Sequence, residues 1–198
     1  MKILLAVFAL IGLSACGFKE PYKSAYTLEV KTQPLNESTG ICKEKTLKVS
    51  QAFSSSSLMS TKMSYIEGRY SEYSFQNSEW AQSPNSIITQ KIISNLRKSA
   101  LFATVEGYKS RSKSDYLLES NIEEFMQYFS EDAKSSFVNV VIHFALIDAK
   151  SSRVISSKSM SKKIELQNLE AKTGVAALSE ALSEILVEQN RWLSEECR

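Results

Sequence analysis

The chain has very little histidine. His143 is the one imidazole in 198 residues, and a triad built on it would still need a nucleophile and an orienting acid that no sequence spacing here supplies. It reads as a structural residue. There is no Walker loop, no GxGxxG, no HExxH and no GxSxG, the motifs that bring phosphate cradles, dinucleotide sites, zinc or an activated serine. Glu119, Glu123 and Glu124 fall in a strand pattern and read as solvent-facing carboxylates. Charge of one sign is also missing, with 24 Lys and Arg against 22 Asp and Glu, which argues against a nucleic-acid partner. These absences point away from an enzyme and imply no catalytic residue, metal or cofactor.

Long apolar runs are confined to the start. Met1-Lys2 precedes an unbroken apolar stretch over residues 3–13, too short for the roughly 20 residues of a membrane-spanning helix and suited to a secretory signal. Leu13-Ser14-Ala15-Cys16-Gly17 comes next and resembles a bacterial lipobox. The resemblance implies that the Cys16 thiol takes diacylglycerol, that cleavage occurs just before it, and that the new amino group is acylated. Small side chains at Ser14 and Ala15 suit entry into the processing enzyme. An ordinary signal peptide with a chance cysteine near its cleavage site is the plainer alternative. Gly17 rather than Asp follows the cysteine, which by the proteobacterial sorting pattern favours the outer membrane over the inner. The later run at residues 138–147 is interrupted by His143 and has the length of a strand.

Cysteine is scarce too. With Cys16 assigned to lipid, Cys42 and Cys197 are left, an even pair without CxxC or metal-ligand spacing. In an oxidising compartment that favours a structural disulfide, the alternative being two free thiols. The organisation read from the sequence is therefore a signal peptide over 1–15, a lipidated cysteine and linker over 16–25, and one periplasmic α/β domain over 26–198. The linker after Cys16 reaches at most about 30 Å.

Within the domain, Tyr26, Leu28 and Val30 alternate with polar residues and predict a first strand, with a loop over 34–40. Leu47, Val49 and Phe53 suggest a second, ended by the serines at 54–57. Tyr65, Ile66, Tyr70, Tyr73 and Phe75 surround Glu67-Gly68, a hairpin signal. Ser83-Pro84 opens a helix to about residue 100, its stripe being Ile88, Ile92, Leu96 and Ala100. A short strand over 102–105 comes after it, and a right-handed crossover is implied if it lies parallel beside the strand before the helix. Three long strands come next, at about 115–129, 136–148 and 153–166. In the middle one Val138, Val140, Ile142, Phe144 and Leu146 share a face, while Phe137, Asn139, Val141, His143, Ala145 and Ile147 share the other. A parity change between Ile122 and Phe125 predicts a bulge near Glu123-Glu124. Asn168 is the expected N-cap of a last helix over about 169–194, carrying Val175, Leu178, Leu182, Ile185, Gln189 and Trp192 and packing beside the first; its stripe would also suit a coiled-coil seam. The fold class is α/β of the α+β type: one mixed, mostly antiparallel sheet with two main helices on one face.

Order and spacing over nearly the whole mature chain resemble one family. The signals are the lipobox, Tyr26-Thr27-Leu28, the hairpin reaching Trp80, Pro84 opening an Ile-rich helix, Ser99-Ala100-Leu101-Phe102-Ala103-Thr104-Val105 and Asp115-Tyr116-Leu117-Leu118-Glu119. Phe144-Ala145-Leu146-Ile147-Asp148, Val154-Ile155-Ser156-Ser157-Lys158 and an Ala-rich final helix complete them. Together they resemble the auxiliary lipoprotein of MCE-type ABC transport systems, the paraquat-inducible-protein-C-like family. Ala81-Gln82-Ser83-Pro84 stands where acidic-Pro wording is common there. The resemblance implies a non-catalytic lipoprotein at the periplasmic face of the outer membrane, partnered by an MCE-domain protein in lipid movement between the two membranes. Such partners are commonly rings, so a homo-oligomer is expected. The candidate contacts are the mixed face bearing His143 and the aromatic hairpin at residues 70–75. A different class of reading is an envelope assembly or scaffold lipoprotein, partnering lipopolysaccharide export or a peptidoglycan synthase.

Overall fold

The computed structural model describes residues 22–31 and 41–197. Cys16, the signal sequence, most of the linker and the loop over 34–40 lie outside the described residues. The strands are β1 (Ser24–Tyr26), β2 (Thr46–Val49), β3 (Phe53–Ser54), β4 (Lys62–Glu67), β5 (Ser71–Trp80), β6 (Thr104–Gly107), β7 (Tyr116–Phe129), β8 (Ser136–Asp148) and β9 (Arg153–Leu166). Among the described residues two α-helices are interleaved: α1 (Pro84–Ser99) and α2 (Ala171–Glu196).

β7 is the spine of a single mixed sheet. Along one edge it pairs antiparallel with β8, which pairs antiparallel with β9. Along the other edge β2, β3 and β4 follow one another, all parallel to β7. β6 extends the sheet beside β2, and β5 and then β1 extend it beside β4. The parallel crossover implied around α1 is not realised, because β6 joins β2 and not β5.

The alternation of β8 decides where the core sits. Val138, Val140, Ile142, Phe144 and Leu146 are buried under the helices. α1 contributes Ile88, Ile92 and Leu96 to the same layer, each worth about 1.5–3 kcal/mol on removal from water. It starts with Pro84 after Ser83 and ends where Ala100 turns left-handed (φ 52°). α2 begins two residues later than the sequence suggests: Glu170 occupies the N-cap, and Asn168 accepts the Glu170 N–H through its side chain at 3.2 Å. Gly174 sets the approach of α2 to the sheet, since a Cβ there would fall 2.1 Å from Gln127 Oε1. The helices meet through a buried amide pair. Asn95 Nδ2 donates to Asn190 Oδ1 at 3.0 Å and Asn190 Nδ2 returns a bond to Asn95 Oδ1 at 3.3 Å.

Residues 27–31 do not continue the first strand, contrary to their alternation. They leave the sheet and run beside α2, where the backbone N–H groups of Glu29 and Lys31 donate to the hydroxyls of Ser179 and Ser183 at 3.2 and 3.1 Å. Leu28 is buried there. Cys42, in a short 3-10 turn (Ile41–Glu44), is disulfide-bonded to Cys197 at the C-cap of α2. The N-terminal segment thus fastens the last helix at its middle and at its end.

One side chain ties β2 to β7. Asp115 accepts from the Thr46 N–H at 2.8 Å and from the Thr46 hydroxyl at 2.9 Å. These two bonds, backbone first, hold its carboxyl below the ordinary aspartate range. A carboxyl whose folded pKa is depressed stabilises the fold above its unfolded value of about 3.9, and that contribution disappears as pH falls through the lower folded value. Asp115→Asn is therefore expected to destabilise the protein at neutral pH, with the deficit closing in acid. Urea unfolding of both proteins between pH 7 and pH 2 checks this; a deficit independent of pH would show that the charge is not what matters.

Candidate interaction surface

The two helices cover one face of the sheet and leave the three long strands bare on the other. The register places residues of that face in rows. Phe53 stands opposite Asn121, Asn121 opposite His143, and His143 opposite Ser159. On one side lies the row Glu119, Ala145, Ser157. Beyond the bulge, where Glu123 is inserted between Ile122 and Glu124, comes Glu124, Val141, Ser161.

Around the first row there is a hollow of about 360 Å³, lined by Ser50, Gln51, Phe53, Glu119, Asn121 and His143 among others. Its origin is a mismatch of register. Val49 stands opposite Leu118 and Phe53 opposite Asn121, so the chain beside β7 carries one residue more than β7 does over this step. The surplus residue lies within 50–52, where Ala52 is buried and its N–H donates to Thr89 Oγ1 of α1 at 2.9 Å, as in a bulge that re-aims the side chains of the next strand. Phe53 is left 71% exposed at the rim. His143 Nδ1 and Ser159 Oγ are hydrogen-bonded at 2.9 Å.

The far end of this face is closed by its own contacts. Tyr128 and Phe137 stack with centroids 4.9 Å apart, and Lys163 Nζ lies 3.9 Å from the Phe137 centroid. Glu124 Oε2 accepts from Tyr128 Oη at 2.8 Å and from Asn139 Nδ2 at 2.7 Å. Burial first, and then the bonded Glu124 carboxylate, push the Tyr128 hydroxyl far above the ordinary tyrosine value, so it stays a donor at any physiological pH.

A family model described as the ABC-type transport auxiliary lipoprotein component matches residues 26–188. The chain belongs to that family. Among solved structures, this auxiliary lipoprotein is similar to protein XCC0632 from Xanthomonas campestris, with 16% identity and a TM-score of 0.78 over 87% of this chain and 95% of that one. It is similar to an uncharacterized protein at 17% identity and a TM-score of 0.66, over 87% and 99%. A third is the hypothetical protein CT253 from Chlamydia trachomatis, at 8% and 0.52, over 78% and 98%. At these identities the likeness is one of fold. No curated protein matches the chain.

The two contact candidates read from the auxiliary lipoprotein's sequence are not brought together. His143 is on the bare face. The hairpin aromatics are on the helix side, where Tyr65 contacts Tyr73, Phe75 and Phe129 with centroids 4.7 to 5.8 Å apart. Tyr70 lies in the turn, 90% exposed. Among the described residues no cluster of three or more His, Cys, Asp or Glu has the geometry to hold a metal ion, and no helix is long and apolar enough to cross a membrane. Sequence reading places Phe53 in a strand and Glu119 at the solvent, and gives neither a part in a site. Strand parity alone puts Glu119 on the His143 face, but nothing local marks Phe53 as its neighbour.

Proposed function

We propose that this chain is the non-catalytic auxiliary lipoprotein of an MCE-type ABC transporter that moves lipids between the inner and outer membranes. It is anchored through Cys16 at the periplasmic face of the outer membrane and presents its folded domain to an MCE-domain protein. The observation that carries the reading is the helix-free face of the sheet on a chain of this family. A sheet side left to water normally alternates to polar residues, whereas here β8 offers Phe137, Val141, Ala145 and Ile147 with only Asn139 and His143 between them. A homo-oligomer is part of the reading, because a ring-shaped partner is matched most simply by closed symmetry.

Sedimentation velocity on the chain from Gly17 onward, alone and with the periplasmic part of the MCE protein encoded beside it, tests this. Self-association and co-sedimentation are expected at tens of micromolar. A strict monomer that ignores the MCE protein would sink the transport reading and leave an envelope scaffold ahead.

A further inference from the structure

We propose that the MCE-type partner docks on the helix-free face, with Phe53 and the hollow beside it at its β3 edge, and that it brings an apolar patch carrying a basic side chain into that hollow. This rests on the transport reading above and adds to it the surface and the chemistry of the contact.

Size is the first support. β7, β8 and β9 are 13 to 14 residues long, so the face measures about 45 Å by 15 Å at ~3.3 Å per residue and ~4.8 Å per strand. That gives roughly 700 Å², close to the ~800 Å² per partner of a specific interface. The apolar residues continue to the rim, where Val154 is 60% exposed and stands opposite Ile147. The apolar residues of β8 are flanked by Ser157, Ser159 and Ser161 on β9 and by Glu119, Asn121 and Glu124 on β7, the mixed make-up of a non-obligate contact surface.

Charge supplies the second. Glu119 lines the hollow and Glu123 is the residue inserted at the bulge; both are exposed, and neither has an ion-pair partner among the described residues. The other charges of the face are engaged. Glu124 holds Tyr128 and Asn139, and Lys163 pairs with Glu165 at 2.7 Å while covering Phe137. The unmet carboxylates ask for a cation. A guanidinium entering the hollow meets an aromatic face in Phe53, a carboxylate acceptor in Glu119 and an amide acceptor in Asn121, a combination that planar donors satisfy well.

The test uses the mature lipoprotein in detergent and the periplasmic MCE protein, with affinity read by calorimetry. Phe53→Ser and Glu119→Arg are expected to weaken binding at least tenfold, Tyr22→Ser, at an exposed ring outside the face, to leave it unchanged, and added salt to weaken the wild type more than Glu119→Gln. Circular dichroism confirms that the variants are folded, which the exposure of both side chains favours. Wild-type binding that Phe53→Ser and Glu119→Arg leave intact would overturn the inference alone. Failure of the wild type to bind would overturn the transport reading and this inference with it. Variants that instead turn a homo-oligomer into a monomer would assign the face to a second copy of the chain and refute the proposed occupant.

Discussion

Cys16→Ala is expected to leave a precursor that takes up no labelled palmitate and fractionates away from the outer membrane. Within Leu13-Ser14-Ala15-Cys16-Gly17 the thiol is the one group nucleophilic enough to accept a diacylglyceryl chain at neutral pH. Acylation comes before cleavage in this type of processing, so the signal stays attached as well. The effect is close to all or none, because buried methylenes contribute about 0.8 kcal/mol each and two or three acyl chains hold where one does so only marginally. Palmitate incorporated into the variant, or a variant still sedimenting with outer membranes, would refute the anchor.

Removing the Cys42–Cys197 bridge with Cys42→Ser and Cys197→Ser is expected to cost about 2–5 kcal/mol of stability. The cross-link closes a loop with a sequence separation of 155, and the constraint on the unfolded chain grows with loop length, with native strain and residual unfolded structure usually trimming it. Both cysteines are buried, so the paired serines also place two hydroxyls where the core is apolar. Urea unfolding reports the change through Trp80 and Trp192, both buried in the native state. Ellman titration of the denatured, unreduced wild type is expected to find no free thiol. Two thiols, or an unchanged midpoint in the double variant, would count decisively against a stabilising bridge.

The long meander is legible in the sequence because period-two patterning persists over it. Strands expected at about 136–148 and 153–166 are β8 and β9, and the parity change before Phe125 marks the bulge in β7. α1 is legible from Ser83-Pro84 and the isoleucine row. Residues 26–30 mislead because alternation reports that every second side chain is buried and says nothing about what buries it. Here α2 covers Leu28, and the serines at 179 and 183 supply acceptors where a neighbouring strand would supply carbonyls. The place of β6 is hidden for a related reason, since its pairing with β2 joins segments nearly sixty residues apart and leaves no local trace. The candidate surface is half legible. Parity gathers Asn139, Val141, His143 and Ala145, but the hollow depends on a one-residue difference in register between β2 and β3, which sequence does not encode locally.

The fastening of α2 by the N-terminal segment also sets an order of events. Glu29 meets a residue 150 positions later, Lys31 one 152 later and Cys42 one 155 later. A chain exported from its N-terminus therefore has its first strand across the membrane long before the helix that this segment binds arrives. Contacts of such separation are slow to form, because loop closure precedes their reward. Anchoring would then come before folding, and the unfinished domain would wait at the membrane with its apolar β8 side uncovered until the final helix is released. Chaperones on the far side of the membrane are expected to matter most in that interval, and truncation within α2 should strand the chain there.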